Sequence, residues 1–158
     1  MARKFDVAIA LQVGIEYHSA MTIRPIIIHP DPRLKKMATP VAEVTPAIRR
    51  LAEDMLETMY DAPGIGLAAP QIGVMSSVFV MDCVKEEGAA AAPMVLLNPV
   101  ITWVSEELST YEEGCLSIPE QYGEVERPAE IDMQWLDLDE KIHEQRFEGL
   151  WATCAQRA

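Results

Sequence analysis

Residues 64–71 read Gly-Ile-Gly-Leu-Ala-Ala-Pro-Gln, and this stretch is the most informative one for the fold. Glycines and small side chains let a backbone approach a ligand closely, because little stands above the main chain. The stretch is not a phosphate-binding loop, since it lacks the lysine and the glycine spacing of that motif. Gln71 can donate a hydrogen bond to a developing oxyanion. A tight helix-to-strand connection also explains these residues and is favoured on their chemistry alone.

A helix is predicted directly before this stretch, over residues 46–60. Thr45 is a suitable N-cap, and Pro46 suits the first helical turn. Residues 62–64, Ala-Pro-Gly, form a helix stop. Apolar side chains recur at helical spacing and form one broad apolar face: Ile48, Leu51, Ala52, Met55, Leu56, Met59 and Tyr60.

The segments around this helix are predicted to be mostly extended. Prolines within residues 25–32 forbid a helix there. Two short apolar runs, 78–81 and 94–97, are typical of buried strands, and residues 130–135 alternate as a strand does. A return strand is predicted at 141–147, and a helix could begin at 149. One helix packed on antiparallel strands predicts an α+β fold with a single domain at 21–158.

Composition excludes several classes of protein. The chain has 158 residues and a formal net charge of -12, which argues against nucleic-acid binding because phosphate contacts need clustered cations. No apolar run reaches the length of about 18 residues needed to span a membrane. Three cysteines are few and odd in number, which favours a reducing, cytoplasmic compartment over a disulfide scaffold.

Residues 1–20 are predicted to be a disordered extension with no role in the fold. Their basic start and short apolar stretch resemble a signal peptide only weakly. Gln12 interrupts the apolar stretch and Glu16 follows soon after, and both argue against a signal peptide. Met21 opens a segment that resembles an ordinary protein start.

A second motif, Glu-Gly-Cys-Leu-Ser, occupies residues 113–117. A cysteine beside a glycine is compatible with a nucleophile or a metal ligand. Alone, Cys115 is more often a buried small apolar residue. The motif by itself therefore leaves these alternatives open.

In this order, residues 64–71 and 113–117 resemble the peptide deformylase family. That family removes the formyl group from the N-terminal methionine of new bacterial or organellar proteins. The resemblance extends over nearly the whole chain, from residue 21 to residue 156. It implies an α+β fold, a bacterial cytoplasmic location, and formyl-Met peptides or nascent chains as partners, with no direct binding to nucleic acid or membranes.

The resemblance assigns roles to individual residues. Cys115 matches the metal-binding cysteine of the family. Gln71 and the backbone N–H of Leu116 match the groups that hold the formyl oxygen as negative charge builds on it. Gly66 matches the glycine whose backbone meets the peptide. The implied metal is Fe2+, which Zn2+, Ni2+ or Co2+ can replace.

Two further residues are implied to bind substrate. Ile65 matches part of the wall around the methionine side chain, and Gly64 lies beside it in the same stretch.

The family's third motif, His-Glu-x-x-His, supplies two metal ligands and the catalytic glutamate. By alignment of the preceding residues, Arg157 occupies the first histidine position and Ala158 the glutamate position, and the second histidine has no counterpart. His143 and Glu144 begin like the motif but lie in a strand pattern, where residues four apart do not form a helical pincer. His18 and His29 are not expected to substitute. We therefore expect a domain truncated at its C-terminal end, with no tightly bound metal and no activity as given.

Three hypotheses remain open at this level. The first is an inactive deformylase relative, which a truncated or frameshifted gene, a shortened expressed segment or a degenerate paralogue would equally explain. The second is a non-catalytic, deformylase-like module that binds peptides. The third is an enzyme that recruits ligands from another subunit or uses another metal set.

Overall fold

The structure is a computed structural model that describes residues 22–158. The predicted extension at 1–20 and His18 therefore lie outside the described residues. Within this part of the chain there are two α-helices, α1 (Pro46–Asp61) and α2 (Gly149–Ala155), and short 3-10 turns at Pro32–Lys35 and Ala69–Ile72. The strands are β1 (Gly66–Ala68), β2 (Val78–Met81), β3 (Met94–Val104), β4 (Leu108–Cys115), β5 (Ile118–Pro128), β6 (Glu130–Leu136) and β7 (Ile142–Glu148).

Five of these strands form the main sheet, in the order β1-β2-β3-β6-β7, and every neighbouring pair is antiparallel. β4 and β5 pair separately as a two-stranded antiparallel sheet. The α+β class predicted from the sequence is confirmed, since helices pack on antiparallel sheets.

Helix α1 forms where the apolar stripe predicts it. The Thr45 hydroxyl accepts a hydrogen bond from the backbone N–H of Ile48 at 3.3 Å, and Pro46 occupies the first turn. Such a cap satisfies one of the backbone donors that a helix start leaves unpaired. Ala62 ends the helix, as predicted. Five residues of the stripe are fully or almost fully buried: Leu51, Ala52, Met55, Leu56 and Met59.

The main sheet separates two apolar clusters, because successive side chains of a strand point to opposite faces. Val78 and Val80 of β2 pack in the cluster that contains α1. Phe79 and Met81 pack in the other cluster, which contains the buried residues of α2. The two helices therefore cover opposite faces of one sheet.

Asp54 is an acidic residue of α1 that the apolar pattern does not predict to be buried. Its side chain is 2% exposed and accepts two hydrogen bonds from the Arg24 guanidinium, at 2.9 and 2.7 Å. The backbone N–H of Thr22 donates to the same carboxylate at 3.1 Å. The ion pair thus fastens the start of the described chain to the middle of α1.

The strand predictions are confirmed at 78–81, 130–135 and 141–147, and a helix does begin at 149. β3 is longer than predicted, because it continues past residue 97 to Val104 as the partner of β6. The pairing of β4 with β5 was not predicted. Many of its residues are exposed and polar, so their periodicity carries little signal.

Candidate functional site

Gln71 is held in one orientation by its own neighbourhood. Its side-chain oxygen accepts a hydrogen bond from the backbone N–H of Ala68 at 2.9 Å. The amide nitrogen must then point the other way, toward the Ser117 hydroxyl at 3.1 Å and the Cys115 sulfur at 3.8 Å. The two motifs recognised in the sequence therefore meet in space, with an N–H donor aimed at the cysteine.

Cys115 is the last residue of β4, and it pairs with Ile118 across a turn formed by Leu116 and Ser117. The pairing register shifts between Gly114 and Cys115. A β-bulge of this kind bends the strand and redirects side chains. The sulfur of Cys115 is accordingly presented at the end of the hairpin, where it is partly exposed.

The extended segment before the first 3-10 turn ties the two motifs together. The backbone N–H of Ile27 donates to the carbonyl of Gln71 at 2.7 Å. Two residues later, the N–H of His29 donates to the carbonyl of Ser117 at 2.8 Å. This main-chain bridge fixes the spacing between Gln71 and Cys115.

Gly66 and Gly64 are needed because side chains crowd them. A methyl group added at Gly66 would lie 2.7 Å from the Cys154 sulfur and 2.9 Å from the Phe79 ring. One added at Gly64 would lie 2.7 Å from Leu116. Both distances are below van der Waals contact, so a larger residue at Gly66 would push against Cys154 and Phe79, and one at Gly64 would force the Leu116 side chain to move.

Cys154 of α2 supports strand β1 from behind. Its thiol donates to the carbonyl of Ile65 at 3.4 Å, and the backbone N–H of Asp82 donates to the same oxygen at 2.9 Å. Cys83 lies beside Cys154, and the hydrogen bond between the two thiols together with burial raises the pKa of Cys83. Both are buried free thiols, which separates them from the partly exposed Cys115.

Charged groups surround the hairpin that carries Cys115. The Arg127 guanidinium binds both oxygens of Glu113, at 2.6 and 2.9 Å, and holds the pKa of that carboxyl below its ordinary value. Arg157 donates to the carbonyl of Gly114 at 2.7 Å. A guanidinium thus lies next to Cys115, at the position that the resemblance assigns to a histidine.

Two cavities flank Cys115. Cavity A, of about 540 Å³, lies on the side of Gln71 and is lined by residues of both 3-10 turns. Cavity B, of about 480 Å³, lies between β1, the β4–β5 hairpin and α2. Both cavities are lined by Gly66, Cys115, Ile118 and Arg157. Cavity A also contains His29, Lys35, Lys36, Gln71 and Phe79 on its wall, and cavity B contains Gly64, Ile65, Leu116, Leu150 and Thr153.

The two described histidines, His29 and His143, differ in their distance from the candidate site. His143 lies on β7, bonded to Asp137 at 2.6 Å and stacked on Trp135, and it lines neither cavity. His29 does line cavity A together with Cys115, a proximity that sequence reasoning missed. Among residues 22–158, however, no three His, Cys, Asp or Glu side chains are arranged to hold a metal ion. The described residues therefore do not fit the metal that the resemblance implies.

All six residues singled out from the sequence surround this centre. Gln71, Gly66 and Cys115 line cavity A, while Gly64, Ile65 and Leu116 line cavity B. Sequence reasoning missed Ser117, which accepts a hydrogen bond from Gln71, and the two buried side chains of α2 behind the site, Thr153 and Cys154. Their only sequence signal is position, since Ser117 is the last residue of the second motif, for which no role was predicted, and α2 precedes Arg157.

None of the described helices is long and apolar enough to cross a membrane.

Comparison with known proteins agrees with this geometry. The sequence model of the polypeptide deformylase family matches residues 23–158. A peptide deformylase of Rhizobium meliloti (strain 1021) is 57% identical over 136 residues, which cover 86% of this chain and 78% of that protein. The crystal structure of peptide deformylase from Ehrlichia chaffeensis superimposes with a TM-score of 0.81 and 34% identity, covering 85% of this chain and 80% of that one.

A third comparison includes a bound peptide. The Met-Ala-Ser-bound crystal structure of a class I type b peptide deformylase from Acinetobacter baumannii has a TM-score of 0.80 and 30% identity, and the match covers 87% of this chain and 91% of that one. The family match, the high identity and the shared fold agree, and this chain belongs to the polypeptide deformylase family.

Proposed function

We propose that this domain serves the removal of the formyl group from formyl-Met peptides, and that the 158-residue polypeptide by itself does not catalyse it. The observation that carries the first part is the Gln71 amide, oriented by Ala68 and aimed at Cys115 between two cavities. A preorganised N–H donor of this kind stabilises negative charge on a carbonyl oxygen under attack. In this proposal, Gln71 and the N–H of Leu116 bind the formyl oxygen.

The peptide would lie along the glycine-bearing strand β1. β1 is an edge strand of the main sheet, so its free edge can pair with an extended ligand backbone, and Gly66 lines both cavities beside it. Ile65 and Gly64 line cavity B together with Leu116 and Leu150, and this apolar part of its wall suits the side chain of methionine. The peptide-bound relative from Acinetobacter baumannii supports this class of ligand.

The second part of the proposal concerns the metal. A catalytic metal site needs roughly three protein ligands and one open position, and the described residues offer Cys115 without two companions. The Arg157 guanidinium donates to the carbonyl of Gly114 and lines both cavities with Cys115, so it adds a positive charge that disfavours a cation there. The Fe2+, Zn2+, Ni2+ or Co2+ of the family would therefore not be bound tightly by residues 22–158.

The decisive experiment supplies the missing ligands. Arg157→His and Ala158→Glu are introduced, followed by two spacer residues, a second histidine and the rest of a deformylase helix. The two histidines then lie about one turn apart on one helical face. We expect the unextended chain to be inactive and the extended one to bind one divalent metal and to deformylate formyl-Met-Ala-Ser.

Two variants of the extended chain separate the roles. Cys115→Ala should abolish metal binding, measured by elemental analysis. Gln71→Ala should keep the metal and slow turnover by roughly a hundredfold or more, the usual effect of removing an oxyanion donor. If the extended chain binds metal and never deformylates, the assigned roles of Gln71 and Leu116 are wrong. Turnover by the unextended chain with stoichiometric metal would overturn the second part and favour ligands from another subunit.

A second candidate function is a non-catalytic peptide-binding module. It is favoured by the same Gln71 geometry and by cavity B, neither of which requires a metal. A calorimetric titration of the unextended chain with formyl-Met-Ala-Ser distinguishes this module from an inert protein. We further propose that the protein resides in the bacterial cytoplasm, which the bacterial relatives support and which fractionation of the producing cells would test.

A further inference from the structure

Thr153 of α2 combines burial with an unused hydroxyl. The residue is 3% exposed, and its hydroxyl oxygen has no hydrogen-bond partner among the residues that the structure describes. A buried polar group without a partner is costly, since it has left water and gained nothing in exchange. Such a group is rare in folded proteins and calls for an explanation.

The position of Thr153 supplies one. Thr153 lies on the wall of cavity B, three residues after Leu150 and four before Arg157, which line the same cavity. Residues three and four apart share one face of a helix, so this face of α2 and the turn after it form one wall of the cavity. The other walls include the apolar side chains of Ile65 and Leu116.

A threonine side chain in a helix can present either its hydroxyl or its methyl group in one direction. Threonine populates two rotamers in helices, unlike valine, and rotation about the first side-chain torsion exchanges the two groups. Cavity B has charged and polar residues on part of its wall, but Ile65, Leu116 and Leu150 give it an apolar part as well. A ligand group that lies against these apolar side chains and Thr153 can therefore meet one O–H donor. The ligand group that fits must be mostly apolar and carry one weak acceptor, which describes the thioether of methionine.

We propose that Thr153 is a specificity-determining residue of cavity B, whose hydroxyl donates to the thioether sulfur of the ligand's methionine. The inference rests on the proposed binding of formyl-Met peptides. It adds the residue that recognises the methionine sulfur by a hydrogen bond. It predicts discrimination against norleucine, which has the same shape with a methylene in place of the sulfur. One hydrogen bond of ordinary net strength corresponds to a preference of about two- to tenfold.

The test compares two ligands on three forms of the 158-residue chain. Formyl-Met-Ala-Ser and formyl-norleucine-Ala-Ser are titrated into the wild type, Thr153→Ser and Thr153→Val. The wild type and Thr153→Ser, which keeps the hydroxyl, should prefer methionine by about two- to tenfold. Thr153→Val, which keeps the shape and loses the donor, should bind both peptides equally.

A ligand-free measurement checks the same inference. Thr153→Val removes an unpartnered hydroxyl and should raise the Tm by about 2–8 °C. Thr58→Val is the matched control, because Thr58 is equally buried but its hydroxyl donates to Asp54 O at 2.7 Å and accepts from Arg24 N at 2.9 Å. That substitution should lower the Tm.

The outcomes separate the two levels of the argument. If neither peptide binds the wild type, the proposed binding function fails, and the role of Thr153 fails with it. If both peptides bind but Thr153→Val keeps the preference for methionine, only the role of Thr153 is overturned. An unchanged or lower Tm for ligand-free Thr153→Val would show that the hydroxyl already has a partner, which also overturns it.

Discussion

The two α-helices within residues 22–158 cover opposite faces of the same sheet and are built in different ways. α1 has 16 residues, a threonine cap and an apolar stripe that packs on Val78 and Val80. α2 has seven residues, no side-chain cap, and a first residue, Gly149, with a φ of 56° that other residues rarely adopt. An isolated helix as short as α2 is unstable in water, so it depends on its contacts.

This difference separates stability from function. α1 contributes large buried side chains that hold the fold, and it lines neither cavity. α2 contributes small buried residues, Ala152, Thr153, Cys154 and Ala155, and places them behind β1 and cavity B. Substitutions in α1 should therefore change the free energy of unfolding, whereas substitutions in α2 should change the geometry of the site.

The largest effect is expected at the centre of α1. Leu56 is fully buried, so Leu56→Ala should lower the free energy of unfolding by about 3–5 kcal/mol through lost burial and a cavity. Leu150→Ala on α2 is the counterpart, and it should cost less because Leu150 is only partly buried. Urea denaturation followed by circular dichroism measures both. Equal losses would remove the distinction between the helices.

The buried ion pair of α1 should have the next largest effect. Asp54→Ala leaves Arg24 without its carboxylate and should lower the free energy of unfolding by about 3 kcal/mol. Asp132, which pairs with Arg146 at the surface, is the matched control, and Asp132→Ala should cost much less than Asp54→Ala because water screens that pair. Urea titrations of both variants measure the two free energies of unfolding. If Asp54→Ala loses as little stability as Asp132→Ala, the Arg24–Asp54 pair does not stabilise the fold as expected.

A smaller, pH-dependent effect is expected at the hairpin. Arg127 lowers the folded-state pKa of Glu113 below its ordinary value of 4.5. The pair therefore stabilises the fold fully above about pH 5, and this contribution is lost as the pH falls through the lowered pKa. Glu113→Gln should be less stable than the wild type by about 1–2 kcal/mol at pH 7. The difference should shrink toward pH 3 in parallel denaturation curves, and a difference independent of pH would exclude this linkage.

The helix caps provide a still smaller test of the comparison. Thr45→Ala removes the cap of α1 and should cost about 1 kcal/mol. Glu148→Ala at the equivalent position of α2 should change stability by less than about 0.5 kcal/mol, since that side chain makes no capping hydrogen bond. Thermal melts of the two variants compare their losses of stability. A larger loss for Glu148→Ala than for Thr45→Ala would contradict the expected order.

The smallest effect is expected from deletion of residues 1–20. The ordered contacts described here begin at Thr22, which donates to Asp54 and is retained in the shortened chain. We expect the free energy of unfolding to change by less than about 0.5 kcal/mol. A fall of several degrees in Tm after deletion would show that the extension contributes to the fold.

Much of the fold and of the candidate site follows from local patterns. The stripe from Ile48 to Tyr60 and the Thr45 cap act within a few residues, so helix α1 was predictable to within one residue at its end. The residues of the two motifs lie around Cys115 on the walls of the two cavities, and the roles predicted for them stay predictions. Burial of Asp54 was not predictable, because it depends on Arg24, which is 30 residues away in sequence.

The amino-acid sequence alone determined the family, the α+β class and helix α1, because these depend on residue types at short spacing. Only the tertiary structure decided which groups meet. It brought the Gln71 amide nitrogen to 3.8 Å from the Cys115 sulfur and brought His29 to the same cavity. It also left the buried Thr153 hydroxyl without a partner among the described residues. The physical reason is that such contacts depend on how strands pair and how helices pack. The pairing of β4 with β5, for example, is not predicted by any local sequence pattern.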